Sequence, residues 1–372
     1  MARRPRTVGR GARPLLAVVA GALALLSWLL IWYPSRRGGG RGREVDVEIA
    51  AGTTLDALAA QLAEARVIEH PAAFAIYARL LGAEGRLRTG EIVLADDMTP
   101  RTVLMRVAEG MGRPLVDVMI PEGLTRFEVA ARLEHWGICE ADAFLDASSS
   151  AELVRTLDVP ASTAEGYLFP DTYELQVGQD PEEIVERMVS RWRVTARPEI
   201  ENGLATLADL RTESGEPWGI HEVVTLASIV EEEAAVSEER PIIAGVFLNR
   251  LRSDTFLPRH RLQADPTVSY GCRQEPALAP SCAGFDGRHI TRAMLDDAAN
   301  RYNSYRHEGL PPGAVSSPGM ASIRAVLHPA VHDYLYFVAR GGRRHQFSAE
   351  YGTHLDGVDA LRERERAAAA AP

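Results

Sequence analysis

The chain has no lysine; all 41 of its basic residues are arginine. Alongside abundant alanine, this is a compositional habit of the source rather than chemistry. Cysteine is scarce, three in 372 residues, and no CxxC or His pair accompanies them, which argues against a thiolate zinc site. The sequence also lacks a GxSxG nucleophile elbow, a GxxxxGKS/T phosphate loop and an HExxH zinc helix. His221-Glu222 has no second ligand at helical spacing, so no metal and no cofactor are expected.

Positive charge is missing from most of the chain as well. Residues 1–43 hold nine arginines and no acid; the remainder carries 32 arginines against 51 Asp and Glu, a net of −19. So acidic a body argues against nucleic acid as a partner, because phosphate binding needs a basic surface.

One long apolar run is present, Leu15 to Trp32, ending in Trp28, Trp32 and Tyr33 as in an interfacial belt. It is just long enough to span a bilayer, and no small-residue cleavage site follows, so residues 15–33 read as a retained transmembrane anchor. The arginines flanking it are nearly balanced. An N-terminal cytoplasmic tail (1–14) is chosen because the run starts so near the N-terminus and a cysteine pair suits an exported body. The Gly/Arg stretch 34–43 reads as a flexible linker.

Beyond it the chain is an α+β protein in two parts. VDVEIAAGTTLDALAAQL repeats at an offset of 71 residues as LVDVMIPEGLTRFEVAARL, pairing Val47 with Val118, Gly52 with Gly123 and Thr54 with Thr125. Each copy reads as strand, Gly turn, Thr cap and amphipathic helix. Helices opened by Pro71 and Thr99-Pro100, with a strand at Glu91–Leu94 between them, complete a small α+β module over 44–112. A larger α+β domain, 113–360, and a frayed helical tail, 361–372, follow.

The larger domain is organised around Trp218–Asp254. Val223, Leu226, Ala227, Val230 and Ala234 recur at helical spacing, and the helix then meets Glu231, Glu232 and Glu233. At roughly 100° per residue, Glu232 falls opposite the apolar stripe, whereas Glu231 and Glu233 fall within its flanks. A carboxyl held among apolar side chains is costly to ionise and so becomes an acid near neutral pH. Periodicity does not choose between the two.

Downstream, LQADPTVSYG and NRYNSYRHEGLPPGAVSSPG read as loops. They offer Gln263, Asp265, Thr267, Tyr270, Asn303 and Tyr305 for hydrogen bonding to a hydroxyl-rich ligand. Cys272 and Cys282 fit a disulfide closing a short loop in an oxidising compartment, and Cys139 reads as a buried, inert thiol.

Four segments taken in order carry a resemblance: ASIVEEEAAVSEERPIIAGVFLNRL, LQADPTVSYG, NSYRHEGLPPGAVSSPG and HPAVHDYLYFVA. They resemble the family of membrane-anchored endolytic peptidoglycan (murein) transglycosylases. EGYLFPDTY matches a further segment, and Val45–Gly110 is similar to that family's LysM-like module. The family pattern ASIVEKE, followed by Ser or Thr, has its catalytic glutamate at the second acid, which is Glu233 here. Glu231 matches the first acid, while Glu232 replaces the usual Lys and Ala234 the usual Thr.

The resemblance implies cleavage of the MurNAc-β-1,4-GlcNAc bond without water, leaving 1,6-anhydro-muramyl ends, with Glu233 as acid and then base. It also implies glycan strands as substrate, cell-wall synthesis enzymes as possible neighbours, and a catalytic domain on the periplasmic side of the inner membrane. Gln263, Asp265, Thr267, Tyr270, Asn303, Tyr305 and Glu231 would then support the site. Two alternatives stand beside this: a hydrolytic muramidase using Asp265 as second carboxylate, and a non-catalytic glycan-binding scaffold.

Overall fold

The computed structural model describes residues 21, 26–109 and 115–369. It divides into two compact units, Met1–Leu115 and Val116–Pro372.

In the first unit, β1 (Glu44–Ile49) pairs antiparallel with β2 (Gly90–Ala95), setting Val47 opposite Ile92. Three helices cover this ribbon: α1 (Leu55–Glu64), α2 (Pro71–Leu80) and α3 (Pro100–Glu109). The Thr54 hydroxyl accepts the Ala57 N–H and caps α1, while Pro71 supplies the fixed φ that suits a first helical turn. Val47, Ile49, Leu58, Phe74, Leu94 and Val107 close a core.

Two expectations about the N-terminal region change. Most of the expected anchor, 15–20 and 22–25, and all of the tail 1–14 lie outside the described residues. Among the described residues no helix is long and apolar enough to cross a membrane. Of the aromatics expected in a belt, Tyr33 is instead buried in the unit's core, its hydroxyl on the His70 carbonyl, while Trp28 and Trp32 are exposed. Nor is 34–43 a free linker: Gly38 and Gly40 donate to the Met98 and Asp96 carbonyls, and Gly42 and Arg43 donate to the Asp96 carboxylate. A Cβ at Gly38 or Gly40 would meet Asp96 atoms at 2.3 or 2.1 Å, so glycine is what lets this backbone lie against its neighbour.

The second unit opens by repeating the first unit's local plan. β3 (Leu115–Met119), a Gly123 turn at φ +81° and a Thr125 cap lead into α4 (Arg126–His135). Thr125 and Glu128 form a reciprocal capping box. After α5 (Ala141–Ser148), β3 finds its partner in β4 (Thr172–Gln176). The long helix α6 (Pro181–Thr195) follows, and then α7 (Ile220–Glu233), α8 (Arg240–Arg252), α9 (Asp265–Gln274) and α10 (Met320–Leu327). The hairpin β5 (Tyr336–Gly341) and β6 (Arg344–Ser348) and the helix α11 (Tyr351–Ala369) close the unit.

α7 is buried on every side from Val223 to Val230, not along one stripe as periodicity suggested. The polar positions on its far side are small enough to be enclosed. Ser228 donates to the Thr225 carbonyl and accepts from the Val315 N–H, so the segment after residue 313 packs there without stranding that hydroxyl.

Three further boundaries differ from expectation. The segment from Asp265 is helical, because Pro266 suits a first turn and Asp265 places negative charge at a helix N-terminus. YLYFVA reads as a strand from Tyr334 to Ala339, but β5 starts at Tyr336. The carbonyls of His332, Tyr334 and Leu335 are already taken by the Asn249 amide and the Arg250 guanidinium. The expected tail from 361 continues α11 to Ala369, in keeping with its run of Ala, Arg and Glu.

Candidate active site

The three glutamates that end α7 meet three different environments. Glu231 is consumed by structure: Arg240 reaches its Oε1 at 2.7 Å and the Gly319 N–H reaches its Oε2 at 3.0 Å. Its side chain is only 6% exposed, so this is a buried ion pair fastening α7 to the start of α8 and α10. Glu232 is exposed. Crowding by surrounding protein and repulsion from Glu128 and Glu231 push its carboxyl up to about 7, against a hydrogen bond from Ser316. Solvent access to the side chain discounts that rise.

Glu233 is the different one. It is partly buried at the last turn of α7, and its carboxyl has no hydrogen-bond partner among the described residues. Burial raises it to about 7; the Asp265 carboxylate and Glu232 add to the rise, and the Arg250 guanidinium opposes it. Asp265, exposed at the start of α9, accepts a 2.6 Å hydrogen bond from the Tyr305 hydroxyl. Burial and the negative charge of Asp265 and Glu233 hold that phenol well above its usual range. Glu233, Asp265 and Tyr305, all expected from sequence, are therefore brought together by α7, α9 and the loop before α10.

Gln263 lies just before them at φ +54°, its backbone N–H on the Ser304 carbonyl. Its side chain is partly exposed and bonds to nothing among the described residues, so it is available to a ligand.

Thr267, Tyr270 and Asn303 depart from their expected place, since all three point into protein. The Thr267 hydroxyl donates to the Ala264 carbonyl and lies 2.8 Å from Ser304. Asn303 is fully buried, its amide donating to the carbonyls of Met294, Leu295 and Asp297. Tyr270 packs against Tyr302 and Phe127 beside the buried Glu165. These residues shape the loops that present Asp265 and Tyr305 instead of contacting a ligand.

Cys272 and Cys282 are joined, closing a small core with Val268, Ala279 and Met294 against which Tyr305 packs. Cys139 is partly buried; burial, with Glu140 and Glu134 nearby, pushes its thiol up to about 11. Among the described residues no group of His, Cys, Asp and Glu could hold a metal ion. A surface hollow of about 420 Å³ lined by Val194, Pro198, Asn202 and His328 shares no residue with the Glu233 site.

Sequence reasoning missed two groups. Arg250, 6% exposed, is the buried cation acting on Glu233; in sequence it looks like any arginine near a helix end. Glu165, 3% exposed, is raised to about 7 by burial, which the Arg126 N–H and guanidinium partly oppose. Its position among the aromatics of EGYLFPDTYEL was the available signal.

A small α+β unit is followed by a larger one in which a partly buried glutamate, with no hydrogen-bond partner among the described residues, ends a buried helix. A family model described as YceG-like matches residues 47–360, and the chain belongs to this family. It is similar to an endolytic murein transglycosylase of Bacillus subtilis, with 27% identity over 329 residues, 83% of this chain and 82% of that protein. An endolytic murein transglycosylase of Streptococcus pneumoniae is 28% identical over 326 residues, although the chain spans only 54% of its length. A crystal structure of a YceG-like protein from Listeria monocytogenes shares 28% identity at a TM-score of 0.53, covering 85% of this chain and 99% of the other.

Proposed function

We propose that this protein is an endolytic murein transglycosylase, a lyase that cuts the MurNAc-β-1,4-GlcNAc bond of peptidoglycan and leaves a 1,6-anhydro-muramyl end. The observation that carries the assignment of roles is the Glu233 carboxyl: unpartnered, partly buried and raised to about 7, so that it holds a proton near neutral pH and can still lose it.

One carboxyl serves twice. Protonated Glu233 gives its proton to the glycosidic oxygen as the C1–O4 bond breaks, and positive charge grows on the muramyl C1. The carboxylate so formed removes the proton from the muramyl C6 hydroxyl, whose oxygen bonds to C1. Glu233 ends protonated, as it began, and no water is consumed. Asp265, kept oriented by Tyr305, supplies negative charge beside the oxocarbenium-like centre, and Gln263 offers an amide to a sugar. Glu231 has no part in the proton transfers, because Arg240 and Gly319 hold it.

Purified protein acting on peptidoglycan strands is expected to yield anhydromuramyl ends, read by mass spectrometry of digested products. Glu233→Gln is expected to lower that yield at least 100-fold without lowering the melting temperature. Reducing ends in place of anhydro ends would establish the hydrolytic reading, which the proximity of Asp265 favours. Binding to sacculi without any cleavage would leave a scaffold.

The finer organisation belongs to the same proposal. The apolar run that begins at Leu15 acts as a single-pass anchor with the N-terminus inside, its end at Leu29–Tyr33 packing into the unit that follows, 44–112 act as a LysM-like glycan-binding module, and 113–360 work on the periplasmic face of the inner membrane. There they cut nascent strands beside cell-wall synthesis enzymes. The apolar run, its lack of a cleavage site and the Cys272–Cys282 pair support this arrangement. A C-terminal reporter active only outside the cytoplasm tests the orientation; fluorescence from a cytoplasm-only reporter at that position would reverse it.

A further inference from the structure

Arg250 carries a charge that the fold buries and does not neutralise. No ion pair within 4.0 Å involves it among the described residues, although burying a cation is costly unless it is paired or used. Its guanidinium is instead fixed in place. Nε donates to the Leu335 carbonyl at 2.7 Å and Nη1 to the Leu262 carbonyl, and the group lies 5.7, 5.2 and 5.6 Å from the ring centres of Phe247, Phe256 and Phe337. Two carbonyls and three ring faces offset part of its lost hydration. Nη2 donates to nothing among the described residues. Burial draws the guanidinium down to about 10, still charged at neutral pH, and Glu233, Tyr305 and Tyr336 pull against that fall.

The charged groups that bear on Glu233 come from every element around it. Glu232 lies on its own helix, Asp265 at the start of α9, Tyr305 on the loop before α10 and Arg250 on α8. Asp265 and Glu232 disfavour a carboxylate at position 233, the un-ionised Tyr305 phenol adds no charge, and Arg250 favours it. Once Glu233 has given up its proton it is a second anion beside Asp265, and Arg250 is the buried cation whose charge favours it. The same guanidinium grips Leu262, the residue before Gln263 and three before Asp265, so charge and geometry are set by one side chain.

We propose that Arg250 is a positioning residue of the Glu233 site, steadying the Glu233 carboxylate between the two proton transfers while holding the Leu262–Asp265 segment beside it. The proposal rests on the transglycosylase reading above. Arg250 touches neither the substrate nor the transferred proton.

The test is the pH dependence of kcat/KM for anhydromuramyl product formation by the full-length chain in detergent, between about pH 5 and 9, where the alkaline limb reports loss of the Glu233 proton. Arg250→Gln is expected to move that limb upward by about one pH unit and to lower kcat roughly 10-fold or more. Arg250→Lys, which keeps the cation, is expected to leave the limb within a few tenths of a unit. A folded Arg250→Gln enzyme with lower activity and an unmoved limb would overturn the proposal in favour of a merely structural tie. Should Arg250→Gln fail to fold, Arg250→citrulline keeps shape and N–H donors while removing charge, and the same limb decides. Full activity in Glu233→Gln would sink the underlying reading; a Glu233-dependent enzyme whose limb ignores the charge at position 250 sinks this inference alone.

Discussion

Three adjacent glutamates with identical side chains do three different things, and the difference is their partners. Glu231 faces Arg240 and the Gly319 N–H, Glu232 faces solvent, and Glu233 is partly buried with no donor on its carboxyl among the described residues. Removing Glu231 leaves a buried cation and a buried N–H without an acceptor. Glu231→Ala is therefore expected to cost about 3–5 kcal/mol, read from urea unfolding. Glu165 makes a pH prediction. Its folded carboxyl sits near 7 and its unfolded one near 4.5, burial being the cause. Below about 4.5 both states hold the proton. As pH rises from there to about 7 the folded state holds more protons than the unfolded, so stability falls; above about 7 the loss is complete, on the order of 3 kcal/mol. Comparing urea midpoints at pH 5 and pH 8, wild type should lose more stability than Glu165→Gln. Equal losses would show that Glu165 does not carry the slope.

At the scale of elements, α7 acts as a post buried through its middle, with its first and last turns reaching toward the surface. Its apolar run from Val223 to Val230 is enclosed on all sides, and the ion pair at Glu231 fixes where the post ends, which fixes where Glu233 emerges. The opposing loops are shaped from within by Asn303, Thr267 and Ser304. Asn303→Ala leaves three carbonyls short of one donor in a fully buried setting. A loss of about 1–3 kcal/mol is expected, with Asp265 and Tyr305 loosened as a consequence. Calorimetry checks the first part. For the second, the fall in activity should be regained on cooling, which a direct loss of substrate contact would not allow.

The whole chain is two units, each with its own core. The larger core runs from Val118 to Leu327 and the smaller one from Leu29 to Val107, with no residue in common. A fragment beginning at residue 116 is therefore expected to fold alone and melt cooperatively, as followed by circular dichroism. A fragment that stays unfolded under native conditions would show that the second unit depends on the first. Glu233, Asp265 and Tyr305 all lie in that fragment, so under the proposed function its cleavage of soluble glycan strands should survive removal of residues 1–115, while any tethering to a membrane would be lost.

Sequence alone determined the strand–turn–helix starts of both units, because Gly52, Gly123, Thr54 and Thr125 dictate local backbone and capping regardless of what packs on them. It also determined the family, through ordered motifs; helical phase left two glutamates as candidates for the proposed acid, and the family pattern points to Glu233 between them. Side-chain roles in the loops were hidden, since Asn, Thr and Tyr serve equally as ligand contacts and as internal struts. Only tertiary structure decided that Asn303, Thr267 and Tyr270 turn inward, that Glu231 is spent on Arg240, and that the charge of a buried Arg250 acts on Glu233. The physical reason is that burial, ion pairing and the fate of a hydrogen bond depend on residues brought together from distant parts of the chain, and local spacing does not encode them.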